Sequence, residues 1–213
     1  MFFYRMMRKK YNILMDGDKP VWWKRNFDKD NRKFDRHHQA RQNATIYDDT
    51  YIQEAKMFWQ SRYQQQKLPA PYHYENLNDI KIYTPVTRSQ ALTMLNHFVS
   101  DYATMFGPLE DAIYQNDPFV YHSRLSHAIN SWLLLPQEVV KTIANANIPL
   151  TSKEWFIRQI IWRREYMYHF FHHYKHDIYK HNFFGHTQEL PAYFWWKEQK
   201  KSNLNCVDTT IER

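Results

Sequence analysis

Glycine is nearly missing from this chain, with three residues in 213, and cysteine occurs once. With so little glycine, turns of positive φ and close backbone crossings fall to residues that carry side chains. The single Cys206 excludes an intrachain disulfide framework and fits a reducing cytoplasm. No stretch approaches about 20 consecutive apolar residues, which excludes a membrane-spanning helix. The opening MFFYRMMRKK has too short an apolar run for a secretory signal. Strand-like alternation, internal repeats and low-complexity tracts are missing as well.

What is present is aromatic and locally charged. A content of 43% hydrophobic and 18% aromatic residues is enough to bury one sizeable core. Residues 1–41 hold twelve Lys/Arg against five Asp, so the formal excess of +7 for the whole chain lies there. Such an arm can meet nucleic-acid phosphates, but Asp16, Asp18, Asp28, Asp30 and Asp35 are interleaved with the basic groups, which favours a solvated linker face.

The pattern predicts an all-α fold. Residues 1–14 and 48–66 read as helices, and 15–47 and 67–86 as connectors rich in Asp, Asn or Pro. Thr87 with Gln90 is a capping box that opens a helix of about 18 residues over 87–105, with Gly107 as its C-terminal cap. Residues 107–122 read as a loop and 123–134 as a helix. Pro136 at a first helical position opens 136–147, and Thr151 with Glu154 forms a second capping box for a long aromatic helix over 151–179.

On that last helix Ile157, Ile160, Ile161, Tyr168 and Phe171 form one stripe, with Arg164 in its middle. A guanidinium aimed at a core asks for an anion, unless it snorkels to water past the apolar surface. Ser123 and Ser126, three apart at a helix start, suit an anion site or an ordinary cap. His169, His172, His173 and His176 give i,i+4 pairs that could hold a metal, or could line a partly solvated face.

Four segments in this order resemble the iron–sulfur bacterial branch of the cryptochrome/photolyase superfamily. They are FYRMMRKKYNILMDGDKPVWWKRNFDKDNRK, YHSRLS, FIRQIIWRREY and NFFGHTQELPAYFW. The resemblance implies a partial helical FAD-binding domain over 48–213, preceded by a basic interdomain-linker-like segment over 1–47. It implies FAD-dependent, light-driven repair of pyrimidine photolesions, with DNA as partner. His122, Ser123, Leu125 and Ser126 match a His-Ser-x-Leu-Ser turn that holds the flavin diphosphate. Arg158, Gln159 and Arg164 fall where that branch lines its flavin pocket, and Trp195, with Trp196 as a rival, falls where an aromatic group photoreduces the flavin. Cys206 resembles the first of four ligands to a [4Fe–4S] cluster, and one thiol cannot hold a cluster that needs four. The resemblance also implies an internal piece of a longer architecture, so other polypeptides could supply the remaining parts. No catalytic residue is assigned, because the branch's catalytic histidine lies in a region beyond the matched segments.

Several positions depart from the branch pattern. Its Gly is Trp162 and its Trp is Arg163; Trp22 and Trp132 also stand where it has Gly. Tryptophan at a position that needs glycine for close approach or positive φ implies overpacking, on the order of 1–3 kcal/mol per site. The departures leave two further readings open: a non-enzymatic helical remnant or subunit of a split photolyase, and a small metal- or nucleic-acid-binding helical module.

Overall fold

A computed structural model describes residues 2–21, 31, 33, 45–65, 80–114, 117, 119–189, 204, 207 and 208, and the side chains of all of these except 63–65. Helix α1 (Phe2–Lys10) leads into a hairpin of two two-residue strands, β1 (Met15–Asp16) and β2 (Lys19–Pro20). The strands pair antiparallel, and Gly17 at φ +56 makes the turn between them. Among the described residues there follow α2 (Thr50–Gln65), α3 (Arg88–His97), α4 (Ala103–Leu109), α5 (Ser126–Asn130), α6 (Pro136–Asn145) and α7 (Leu150–Tyr174), and the fold is all-α as the sequence predicts.

The core forms around the first half of α7. Tyr4 and Met7 of α1, Leu95 of α3, Phe106 of α4, Val139 and Ile143 of α6, and Phe156 and Ile157 of α7 share one buried cluster. Phe98, Phe106 and Phe156 form its aromatic centre, with centroids 4.9 to 5.9 Å apart. The buried face of α1 includes residues of the basic linker-like segment, so that segment contributes to the same core.

Local chemistry explains where the helices start and stop. The first capping box is present in both directions: Thr87 Oγ1 accepts from Gln90 N at 3.3 Å, and Gln90 Oε1 accepts from Thr87 N at 3.2 Å. Its helix runs on through a π-helical turn, Phe98–Tyr102, into α4, and so passes Gly107 instead of ending there. Gly107 serves a different purpose. A Cβ at this position would sit 2.5 Å from Asn31 Oδ1 and 2.9 Å from Ser152 Oγ. Ser152 Oγ accepts from Gly107 N at 3.2 Å and donates to Thr104 O at 2.9 Å, pinning α4 against α7.

The second capping box does not form. Helix α7 starts at Leu150 behind Pro149, and Glu154 is fully buried in the core. The helix expected over 123–134 contracts to Ser126–Asn130, because Trp132 adopts φ +62 and Leu134 N turns back to donate to Ala128 O. Glycine is the usual residue at such a left-handed helix end. Strain is therefore present at Trp132, but overpacking is not, since the indole is 71% exposed. Trp162 is likewise 37% exposed and Arg163 exposed, so these two large side chains turn towards water. Trp22 lies outside the described residues.

Candidate functional site

The turn before α5 is shaped by backbone strain and one buried carboxylate. Asp117, buried, accepts from Phe119 N at 3.1 Å and from Val120 N at 2.8 Å, which fixes Val120 at φ +45. Arg124 follows at φ +55, with its guanidinium 4.3 Å over the Phe119 ring. Between them lie His122 and Ser123. Ser123 Oγ accepts from Leu125 N at 3.4 Å, Leu125 is buried, and Ser126 is exposed at the start of α5. The His122 ring packs edge-on to Phe106 at 6.4 Å. Desolvation by the surrounding protein holds its pKa below the ordinary value, against a backbone hydrogen bond at Glu110 and the charges of Asp117 and Asp111.

Helix α7 contributes the other candidates, and they separate. Gln159, exposed, donates to Glu110 Oε1 at 3.4 Å, so Glu110 joins it to the His122 turn. Arg164 donates to Asn130 Oδ1 at 3.1 Å, at the far end of α5. Arg158 goes elsewhere. It is buried, its Nε is 3.9 Å from Glu154 Oε1, and its guanidinium lies 4.0 Å over the Trp155 ring. The arginine that enters the core is thus Arg158, six residues earlier and on another face of the helix, while Arg164 is only half-buried. Trp195, Trp196 and Cys206 lie outside the described residues.

Sequence reasoning missed the buried polar group beneath this surface. Tyr4, Arg8, Glu154 and Arg158 meet where α1 crosses α7. Burial first, and then the Glu154 carboxylate, push the Tyr4 phenol's pKa well up. Arg8 donates from Nε to Ile13 O at 3.0 Å and from Nη2 to Leu14 O, holding the chain that leaves α1. The i,i+4 spacing of Glu154 and Arg158 was the available signal, obscured by reading Glu154 as a cap.

The serine turn has hydroxyl donors of the kind that suits one part of a flavin dinucleotide, its diphosphate. Arg164 stands at the far end of α5 and lines a cleft that neither serine lines. Arg158 does not suit a diphosphate, because its charge is committed to Glu154 in the core. A four-thiolate cluster does not fit a chain with one cysteine. Among the described residues no group of three or more His, Cys, Asp or Glu side chains could hold a metal ion, and no helix is long and apolar enough to cross a membrane. The histidines of α7 instead pair with neighbours: His169 Nε2 lies 3.8 Å from Glu165, and the His172 ring 4.3 Å from Tyr168.

Residues 1–66 match the model of the deoxyribodipyrimidine photo-lyase-related protein family. A (6-4) photolyase of Agrobacterium fabrum is 33% identical over 214 residues, which is 99% of this chain and 40% of that protein. An uncharacterized protein of Acanthamoeba polyphaga mimivirus, R853, is 33% identical over 108 residues, 48% of this chain and 79% of the viral one. The first relative is thus matched over less than half of its own length, although almost all of this chain takes part. With residues 1–66 recognised by the family model and the similarity to a (6-4) photolyase continuing through α7, the chain belongs to the photolyase-related bacterial family.

Proposed function

We propose that this chain contributes part of the flavin-binding unit to FAD- and light-dependent repair of pyrimidine photolesions in DNA. The observation that carries the reading is the 33% identity to a (6-4) photolyase across 99% of the chain, which includes the serine turn and the α7 residues. Ser123 and Ser126 would hold the diphosphate by their hydroxyls, and Arg164 would neutralise its charge. Gln159, tied to the His122 turn through Glu110, would orient the pocket edge. When bound, the flavin supplies the light-driven electron transfer; the residues here bind and position it.

The isolated chain retains FAD weakly and completes no repair. From Gln159 to Tyr174 most of α7 is open to water, and a flavin must be desolvated on several sides before its electronics can be tuned. The test is flavin retention after purification in the dark, followed by reversal of a photolesion in an oligonucleotide under blue light. A faintly coloured protein whose residual flavin is lost on Ser126→Ala with Arg164→Gln supports the reading. Stoichiometric FAD that survives both substitutions would remove these residues from the site. Light-dependent repair by the chain alone would show that the open face of α7 does not limit it.

The second reading is a non-enzymatic helical remnant or subunit of a split photolyase. One specific observation favours it: Trp132 occupies a left-handed position suited to glycine, with its indole in water. A colourless protein that gains no flavin on addition of FAD supports that reading over the first.

A further inference from the structure

A cleft lies at the α6–α7 crossing. It is open to solvent on one side, has a volume of about 780 Å³ and is walled by Ile13 and Leu14 after α1, Val140 and Lys141 of α6, and Ile160 and Arg164 of α7. Neither Ser123 nor Ser126 lines it. Its volume is that of a small-molecule site.

The wall after α1 is built, not incidental. Asn12 and Leu14 both hold left-handed backbone, at φ +52 and +51; asparagine tolerates that region by itself, whereas leucine adopts it only when its surroundings impose it. Here the buried Arg8 imposes it through the carbonyls of Ile13 and Leu14, and Val21 N donates to Leu14 O at 3.0 Å. The result turns apolar side chains into the cleft opposite Val140 and Ile160. Charge at the rim has one sign in excess. Lys141 is exposed and has no salt bridge to a described residue, and the described partner of Arg164 is the neutral Asn130. Glu165, which also lines the cleft, is engaged by Tyr11 and His169.

We infer that this cleft binds an amphiphilic anion: an apolar chain or ring lying between the Ile13–Leu14 wall and α6, with its carboxylate or phosphate between Lys141 and Arg164. The inference shares Arg164 with the flavin reading and is set apart from it by Lys141 and the apolar walls, which take no part in the serine turn. Titration calorimetry with decanoate, decyl phosphate and decanol tests it, with amide shift mapping to locate the ligand. Saturable one-to-one binding of either anion is expected, with shifts confined to 11–14, 136–145 and 160–165. Decanol should bind about tenfold more weakly or worse, and Lys141→Gln should weaken the anion by a similar factor without changing the melting temperature, because that side chain is exposed. A preference for decyl phosphate over decanoate would assign a phosphate head, and the reverse a carboxylate. Equal affinity for decanol, non-saturable binding or shifts elsewhere would overturn the inference. So would a Lys141→Gln variant that loses FAD and decanoate together, since the cleft would then be part of the flavin site.

Discussion

The second half of α7 is the more aromatic, with six Phe, Trp or Tyr residues over 162–174 against two over 150–161, and yet it is the half that stands in water. From Leu150 to Ile161 the helix buries Ser152, Glu154, Trp155, Phe156, Ile157, Arg158 and Ile161 against α1, α4 and α6. From Trp162 to Tyr174 its large apolar side chains stand largely in water, among them Met167, Tyr168 and Phe171. Composition therefore does not decide burial here. What decides it is whether neighbouring elements reach the helix, and in the second half Phe3 of α1 does so only at the ring edges of Tyr166 and His169. The first half is held by tertiary packing; the second meets Phe3, Tyr11 and Asn130 at its surface and is otherwise held by pairs along its own length: Glu165 with His169, Tyr166 with Phe170, Phe170 with Tyr174.

The largest effects should come from the buried half. Glu154→Gln removes the carboxylate from a site that holds two guanidinium groups, Arg158 beside it and Arg8 nearby, both excluded from water. Leaving buried charge uncompensated costs about 3–5 kcal/mol, to be read as a lower urea midpoint with unchanged slope. A loss below about 1 kcal/mol would mean that water reaches this group and that the first half is less dry than its packing implies. Ile157→Ala comes next. Ile157 is fully buried in the core cluster, and its truncation should cost about 2–5 kcal/mol, of which part is the cavity it leaves. The equivalent truncation at the exposed Phe171 should fall within about 0.5 kcal/mol of zero.

Trp132→Gly sharpens the comparison from outside α7. The side chain at φ +62 contributes little burial, so replacing it should relieve backbone strain and raise stability by about 1 kcal/mol despite the entropy that glycine adds to the unfolded chain. Thermal unfolding checks this. A drop instead would show that the exposed indole covers apolar surface that its own exposure conceals.

The all-α class, the Thr87–Gln90 box and the Pro136 start were legible because each is a local device: a cap or a proline acts within four residues of itself. The failures share a cause too. Glu154 satisfied a local cap pattern, but the tertiary demand of two buried arginines was stronger, and only the fold brings Arg8 to α7. Arg164 sat on the apolar stripe by periodicity, yet the stripe itself leaves the core at Trp162, beyond which α7 is mostly exposed among the described residues. Gly107 read as a cap because glycine commonly ends helices; its use for a close crossing by Ser152 and Asn31 needed the third dimension. At the candidate site the serine turn was visible as a motif. The link from Gln159 through Glu110 to His122 was not, because it joins three segments far apart in the chain.

The smallest effect is the most discriminating. Phe170 stacks on Tyr166 at 5.9 Å and meets Tyr174 at 5.0 Å, so Phe170→Ala removes two i,i+4 pairs from the exposed half. Each such pair contributes about 0.2–0.5 kcal/mol to a helix, and alanine returns some of this through its higher propensity. If the second half is held only by its own surface, the loss stays local. Amide exchange over 166–174 should then quicken by about two- to fivefold, while the exchange of 152–161 and the global unfolding midpoint remain as they were. Uniform quickening along all of α7 would mean that the exposed half unfolds together with the core. The contrast between the two halves would then be one of solvent exposure alone and not of stability.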